Sequence, residues 1–165
     1  MGMFNVFKKK ENDYKEVKQK LNKIFAHGPI FTNFGDESGL GDIVGLYPEN
    51  VFEKAHLGYR VDSKGYKNKK WIGDKFFIIG DYNGLGDPLI VDVSKEKLPI
   101  YAIRHDKWDD LEEVAYSFDD FSEIINLINN TNVKNTEECL FLKEKISKII
   151  KTDFWNNQID IVNKS

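Results

Sequence analysis

The sequence predicts an α+β fold, a mostly antiparallel β-sheet with flanking helices, as a single domain over residues 1–165. Three observations lead there. The chain has 165 residues, of which 41% are hydrophobic and 13% aromatic, enough apolar surface for one core and too short for two ordinary domains. Its middle carries short runs of Ile, Val, Phe and Tyr joined by segments too brief for parallel crossovers. Helical apolar spacing stands on both sides of that block.

Tyr14, Val17, Leu21, Ile24 and Phe25 recur at helical intervals, Asn12 or Asp13 offers a cap, and Gly28-Pro29 stops the run. Residues 31–42 have no period and read as loop. Pro48 supplies a first helical position for a short segment from Glu49 to His56, ended by Gly58. The polar, turn-rich run from Asp62 to Lys70 reads as an exposed loop joining two strands. Strands follow at Lys75 to Gly80, Leu89 to Val93 and Ile100 to Arg104, and a meander is the economical way to join them. Ser117, with Asp120 three residues on, caps a helix whose stripe is Phe118, Phe121, Ile124, Ile125 and Ile128. Asn135 and Glu138 cap another, with Cys139, Leu142, Ile146 and Ile149 inward. The tail from Asp153, with Phe154, Trp155, Ile159, Ile161 and Val162, is too apolar to hang in water and packs back on the domain. Gly-Leu-Gly-Asp occurs at Gly39 to Asp42 and at Gly84 to Asp87 in unlike flanks, which makes two similar turns and no repeat.

The net charge is −3, but residues 1–70 hold thirteen Lys/Arg against nine Asp/Glu, and residues 71–165 hold eleven against eighteen. The second half is therefore strongly acidic. Asp106, Asp109, Asp110, Glu112, Glu113, Asp119, Asp120 and Glu123 crowd one segment with only Lys107 as a base. Such a run is a solvated loop and helix start, or a face that repels nucleic acid and attracts a basic protein partner. Trp108 lies inside it. Apolar runs such as Phe76 to Ile79 fall far short of the ~20 residues a membrane span needs. The N-terminus lacks a signal core, and Cys139 is the single cysteine, so a cytoplasmic protein is expected.

Catalytic patterns are incomplete. The glycines at Gly84 and Gly86 precede Pro88 and a strand where a dinucleotide fingerprint needs a helix. Asp81, Asn83, Gly86 and Asp92 fall at Ca²⁺-loop spacings, yet Leu85 takes a ligand position, which favours a hairpin turn. His27, His56 and His105 stand far apart, and His105-Asp106 lacks a nucleophile elbow. No metal, cofactor or catalytic set is expected. Cys139 reads as a small buried hydrophobe and Trp71 as core, while Trp108 is left open between core and interface.

The stretch from Trp71 to Ile125 resembles the SUKH superfamily, which includes the yeast Smi/Knr-type cell-wall-assembly regulator and many bacterial immunity proteins. The carriers are Phe77-Ile78-Ile79-Gly80-Asp81, then Asn83-Gly84-Leu85-Gly86-Asp87, Leu89-Ile90-Val91-Asp92, Pro99-Ile100-Tyr101, and Ala115-Tyr116-Ser117-Phe118 with Phe121. Gly80, Asp81, Gly84, Gly86, Asp87, Asp92, Tyr101, Ser117, Phe118 and Phe121 are the structural positions of that pattern. The family's second N-terminal element is absent or much altered after His27-Gly28-Pro29. The resemblance implies a protein-binding scaffold without catalytic residues, and for bacterial members the neutralisation of a cognate toxin domain. The expectation is an immunity protein that binds a basic toxin domain through Asp106, Trp108, Asp109, Asp110, Glu112 and Glu113. The alternatives are a regulatory adaptor in cell-wall assembly and a small metal-dependent hydrolase centred on Asp81, Asp87 and His105.

Overall fold

A computed structural model of the chain describes residues 15–26, 31–32, 44–64, 66–83, 86–131 and 135–162. The first helical stretch covers residues 15–20 (α1) and, after a turn at Leu21, Asn22–Ala26 (α2). Leu21 and Ile24 are fully buried, as the helical spacing requires. The cap and stop residues proposed for this helix, with Tyr14 and His27, lie outside the described residues, as does the turn from Gly39 to Asp42.

The meander expected from three strands has six, all antiparallel and in chain order: β1 (Phe31–Thr32), β2 (Val44–Leu46), β3 (Phe76–Tyr82), β4 (Asp87–Asp92), β5 (Ile100–Arg104) and β6 (Lys107–Ala115). Three corrections to the sequence reading follow. Phe31 and Thr32, expected in a loop, pair with Gly45 and Val44. Strands of two or three residues are too short to display alternation and exist through their partners. Gly80 is one reason they can form, since a Cβ there would stand 1.9 Å from the Gly45 carbonyl oxygen. The loop from Asp62 to Lys70 joins a helix to a strand, because it follows the 3₁₀ turn Glu49–Val51 and α3 (Phe52–Ala55). Asp62 Oδ1 organises it by accepting from the backbone N–H groups of Lys64 at 2.9 Å and Tyr66 at 2.8 Å. Most consequentially, the part of the acidic run expected as a loop is the edge strand β6, while Asp119, Asp120 and Glu123 do stand at a helix start as expected.

Alternation divides the sheet's residues between two clusters. Phe77, Ile79, Leu89, Val91, Ala102 and Val114 face the helices α4 (Phe118–Asn130), α5 (Thr136–Ile149) and α6 (Asp153–Val162), which bury Phe121, Ile125, Leu142, Ile146, Phe154 and Trp155 against them. Phe76, Ile78, Ile90 and Ile103 face the other way, covered by Trp71. Both capping predictions hold: Ser117 Oγ accepts from the Asp120 N–H at 3.0 Å and Asn135 Oδ1 from the Glu138 N–H at 3.0 Å. The tail packs back as α6, whose Trp155 donates its indole N–H to the Val114 carbonyl at 2.8 Å and so ties α6 to β6.

His56 is a second tie. It is fully buried, and its Nε2 accepts from the Ile78 N–H at 3.0 Å, which leaves Nδ1 to donate to the Phe52 carbonyl at 2.6 Å. One neutral ring thus joins α3 to β3. Burial pushes its pKa down to about 4, with Arg60 acting in the same direction.

Candidate functional site

Two turns meet at one end of the sheet, the β3–β4 turn before Asp87 and the β5–β6 turn at His105 and Asp106. Antiparallel pairing of consecutive strands puts alternate turns at the same end, so Asp87 and His105 become neighbours although 18 residues separate them. Asp87 is 5% exposed, and Oδ1 accepts from the His105 backbone N–H at 2.8 Å and from His105 Nδ1 at 2.5 Å. Asn83 Nδ2 donates to Oδ2 at 2.7 Å. Burial alone would raise this carboxyl's pKa; the bonds from His105 and Asn83 outweigh it and hold the group below its ordinary value. The carboxylate requires His105 Nδ1 to be the donor, and the ring itself is largely exposed.

Against this end stands an aromatic group on the face opposite the helices. Trp108 is half-buried; its ring lies 5.7 Å from Trp71, edge to face, and 5.8 Å from Tyr59. Its indole N–H donates to the His105 carbonyl at 2.6 Å. Tyr59 Oη donates to the Gly86 carbonyl at 2.5 Å. Gly86 has φ +84°, a backbone that favours glycine, and a Cβ there would meet Tyr59 Oη at 3.3 Å. The sequence framed Trp108 as either a free anchor or a core residue; it is neither, because it closes the rim of the outer cluster with one side toward solvent.

The six acidic-segment residues are not one patch. Asp106 pairs with Arg104 at 2.8 Å, and no ion pair reaches Asp109, Asp110, Glu112 or Glu113 among the described residues. The register between β5 and β6 jumps from Arg104↔Lys107 to Ile103↔Leu111, so residues 108–110 bulge out of the ladder, and Asp109 and Asp110 are exposed. Beyond the bulge, Glu112 pairs with Ala102 and takes the helix side, where burial and then Asp153 and Asp110 raise its pKa. Glu113 pairs with Tyr101 on the outer side. Leu111, 39% exposed, precedes them and pairs with Ile103 on the outer side.

Of the positions carrying the family pattern, Asp92 is buried and accepts from Lys75 Nζ at 2.8 Å and from Ser94, through its Oγ at 2.6 Å and its backbone N–H at 3.0 Å. Tyr101 packs edge-on against Phe76, and Phe118 and Phe121 dock α4. Gly84 lies outside the described residues. The Ca²⁺-loop spacing belongs to a hairpin, with Asp81 hydrogen-bonded to Tyr47 and Asp92 held at the far end of β4. Asp87 and His105 do converge, as the hydrolase alternative requires, while Asp81 stays with Tyr47 and carries a pKa raised by burial. His105 is oriented by Asp87, and Asp106 by contrast belongs to Arg104. No group of three His, Cys, Asp or Glu residues is placed to hold a metal among the described residues. Tyr59 escaped the sequence reading, since nothing in its spacing points at a turn 27 residues away. Comparison with models of known protein families, with curated proteins and with solved structures finds no match in any of the three.

Proposed function

We propose that this chain is a non-catalytic, cytoplasmic protein-binding module, an immunity protein of SUKH type that masks a basic toxin domain with β6 and the Trp108 rim. The observation that carries the reading is the edge strand itself. β6 ends the strand order, its residues from Asp109 to Leu111 are exposed, and its carboxylates beyond Asp106 make no ion pair among the described residues. Carboxylates on an edge oppose pairing with a second copy of the same edge and favour a cationic partner. A half-buried Trp beside them is the kind of anchor on which binding energy concentrates. Enzymes that cleave nucleic acids hold phosphates with basic residues, so an acidic strand seated there would steer association and occupy the substrate's place. The test is co-expression with the variable C-terminal domain of a secreted protein encoded beside this chain. Growth should be restored by the wild-type chain, and failure to bind or neutralise any such domain removes the immunity reading. Pull-down of cell-wall-assembly components in place of a toxin would favour the adaptor alternative.

The hydrolase alternative has one observation behind it, the Asp87–His105 pair, in which a carboxylate orients an exposed imidazole. A broad hydrolase screen of the wild-type chain against an Asp87→Ala/His105→Ala variant separates the two, since a binding module is silent in both.

A further inference from the structure

Four points of the chain meet at the turn end of the sheet: Tyr59, Gly86 with Asp87, His105 and Trp108. From their contacts we infer that Asp87 is a positioning residue that sets the Trp108 indole beside the acidic edge strand. The assignment gains its functional meaning from the binding role proposed above. The contacts form a closed circuit. Tyr59 Oη donates to the Gly86 carbonyl, and the next residue, Asp87, takes both the backbone N–H and the Nδ1–H of His105. The carbonyl of that same His105 takes the Trp108 indole N–H, and the Trp108 ring returns to Tyr59.

Trp108 depends on this circuit because the ladder does not fix it. Residues 108–110 stand in the register jump between Arg104↔Lys107 and Ile103↔Leu111, so no cross-strand pair sets their orientation. Asp87 is the member whose chemistry is hardest to replace. A buried carboxylate accepts at both oxygens and presents nothing but acceptors to His105 and Asn83. Asn at position 87 keeps the shape and can still turn its oxygen to His105, but that oxygen is neutral, and its amide NH₂ stays bonded on the other side only if the Asn83 amide turns as well. The clamp on His105 then trades a charged acceptor for a neutral one, which holds about half as strongly. His105 is held more loosely, its carbonyl gains freedom, and the Trp108 N–H has a less fixed acceptor.

The experiment follows indole N–H resonances of the full-length, ¹⁵N-labelled chain, assigned with Trp108→Phe and Trp155→Phe. In Asp87→Asn the Trp108 indole N–H should exchange about tenfold faster, the scale of one net hydrogen bond, and its resonance should move. The Trp155 indole N–H, bonded to Val114 on the helix side, should stay as in the wild type. His105→Ala keeps the backbone N–H to Asp87 and should give a smaller change in the same direction. Unchanged Trp108 exchange in Asp87→Asn, with Trp155 intact, overturns the assignment. Should Asp87→Asn lose the Trp155 resonance through unfolding, His105→Ala decides by the same criterion. None of these readouts involves a partner, so the clamp is judged apart from the binding reading. Wild-type affinity in Trp108→Ala for a toxin domain neutralised by this chain would remove Trp108 from the binding surface and leave both the immunity reading and the clamp.

Discussion

Two tryptophans compare the two faces of the sheet. Trp155 and Trp108 each donate an indole N–H to a backbone carbonyl on or next to β6, at 2.8 Å and 2.6 Å. Trp155 is fully buried among Phe121, Phe154 and the helix-side core, while Trp108 keeps one side in solvent. The bonds are alike; what surrounds them is not. Burial makes the first a determinant of stability, and the rim position leaves the second's apolar surface available to another molecule.

The comparison breaks or holds first on truncation. Trp155→Ala should destabilise the chain by about 3–5 kcal/mol, the usual effect of emptying a buried aromatic site. Trp108→Ala should cost roughly 1–2 kcal/mol, since only part of its ring is removed from water. Denaturant unfolding of both variants measures the gap, and equal losses would mean that Trp108 belongs to the core.

Acid separates the same two regions by the order in which they fail. His56, on the helix side against Phe52 and Phe77, has a folded pKa near 4 against an unfolded 6.5. Its neutral form favours folding, so its contribution is complete above pH 6.5 and lost as pH falls toward 4, on the order of 3 kcal/mol in all. The Asp87 carboxyl is also held low, but the sign is that of an acid. Its contribution is complete above its unfolded value of 3.8 and is lost only as pH falls through its depressed folded value. Unfolding midpoints should therefore decline between pH 6.5 and 4, and His56→Gln should flatten that decline. Over the same range the Trp108 indole N–H should keep its protection relative to global unfolding.

What the sequence disclosed and what it hid divide along a similar line. The caps at Ser117 and Asn135, the stripe of α4 and the strands β3 to β5 are local patterns, written within a few residues of each other, and each was legible. β1 and β2 are too short to show a period. β6 hid because Asp109 and Asp110 sit in a bulge and Glu112 and Glu113 point to opposite sides of the sheet, so the strand reads as unbroken charge. The acidic segment was visible as chemistry but not as a strand. Asp87 with His105, and Tyr59 with Gly86, are pairings made by topology across 18 and 27 residues, and no spacing within the chain announces them.

The smallest effect on stability carries the sharpest test of the binding claim. Asp109, Asp110, Glu112 and Glu113 make no ion pairs among the described residues, so replacing all four by Asn or Gln should leave the unfolding midpoint almost unchanged. The measurement is the association rate with a toxin domain found by the co-expression test proposed above, as salt is raised. The wild-type chain should associate quickly at low salt and slow steeply as screening sets in, while the quadruple variant should start slower and respond little. Identical rates and identical salt dependence in the two chains would contradict the assignment of β6 as the surface that meets the partner.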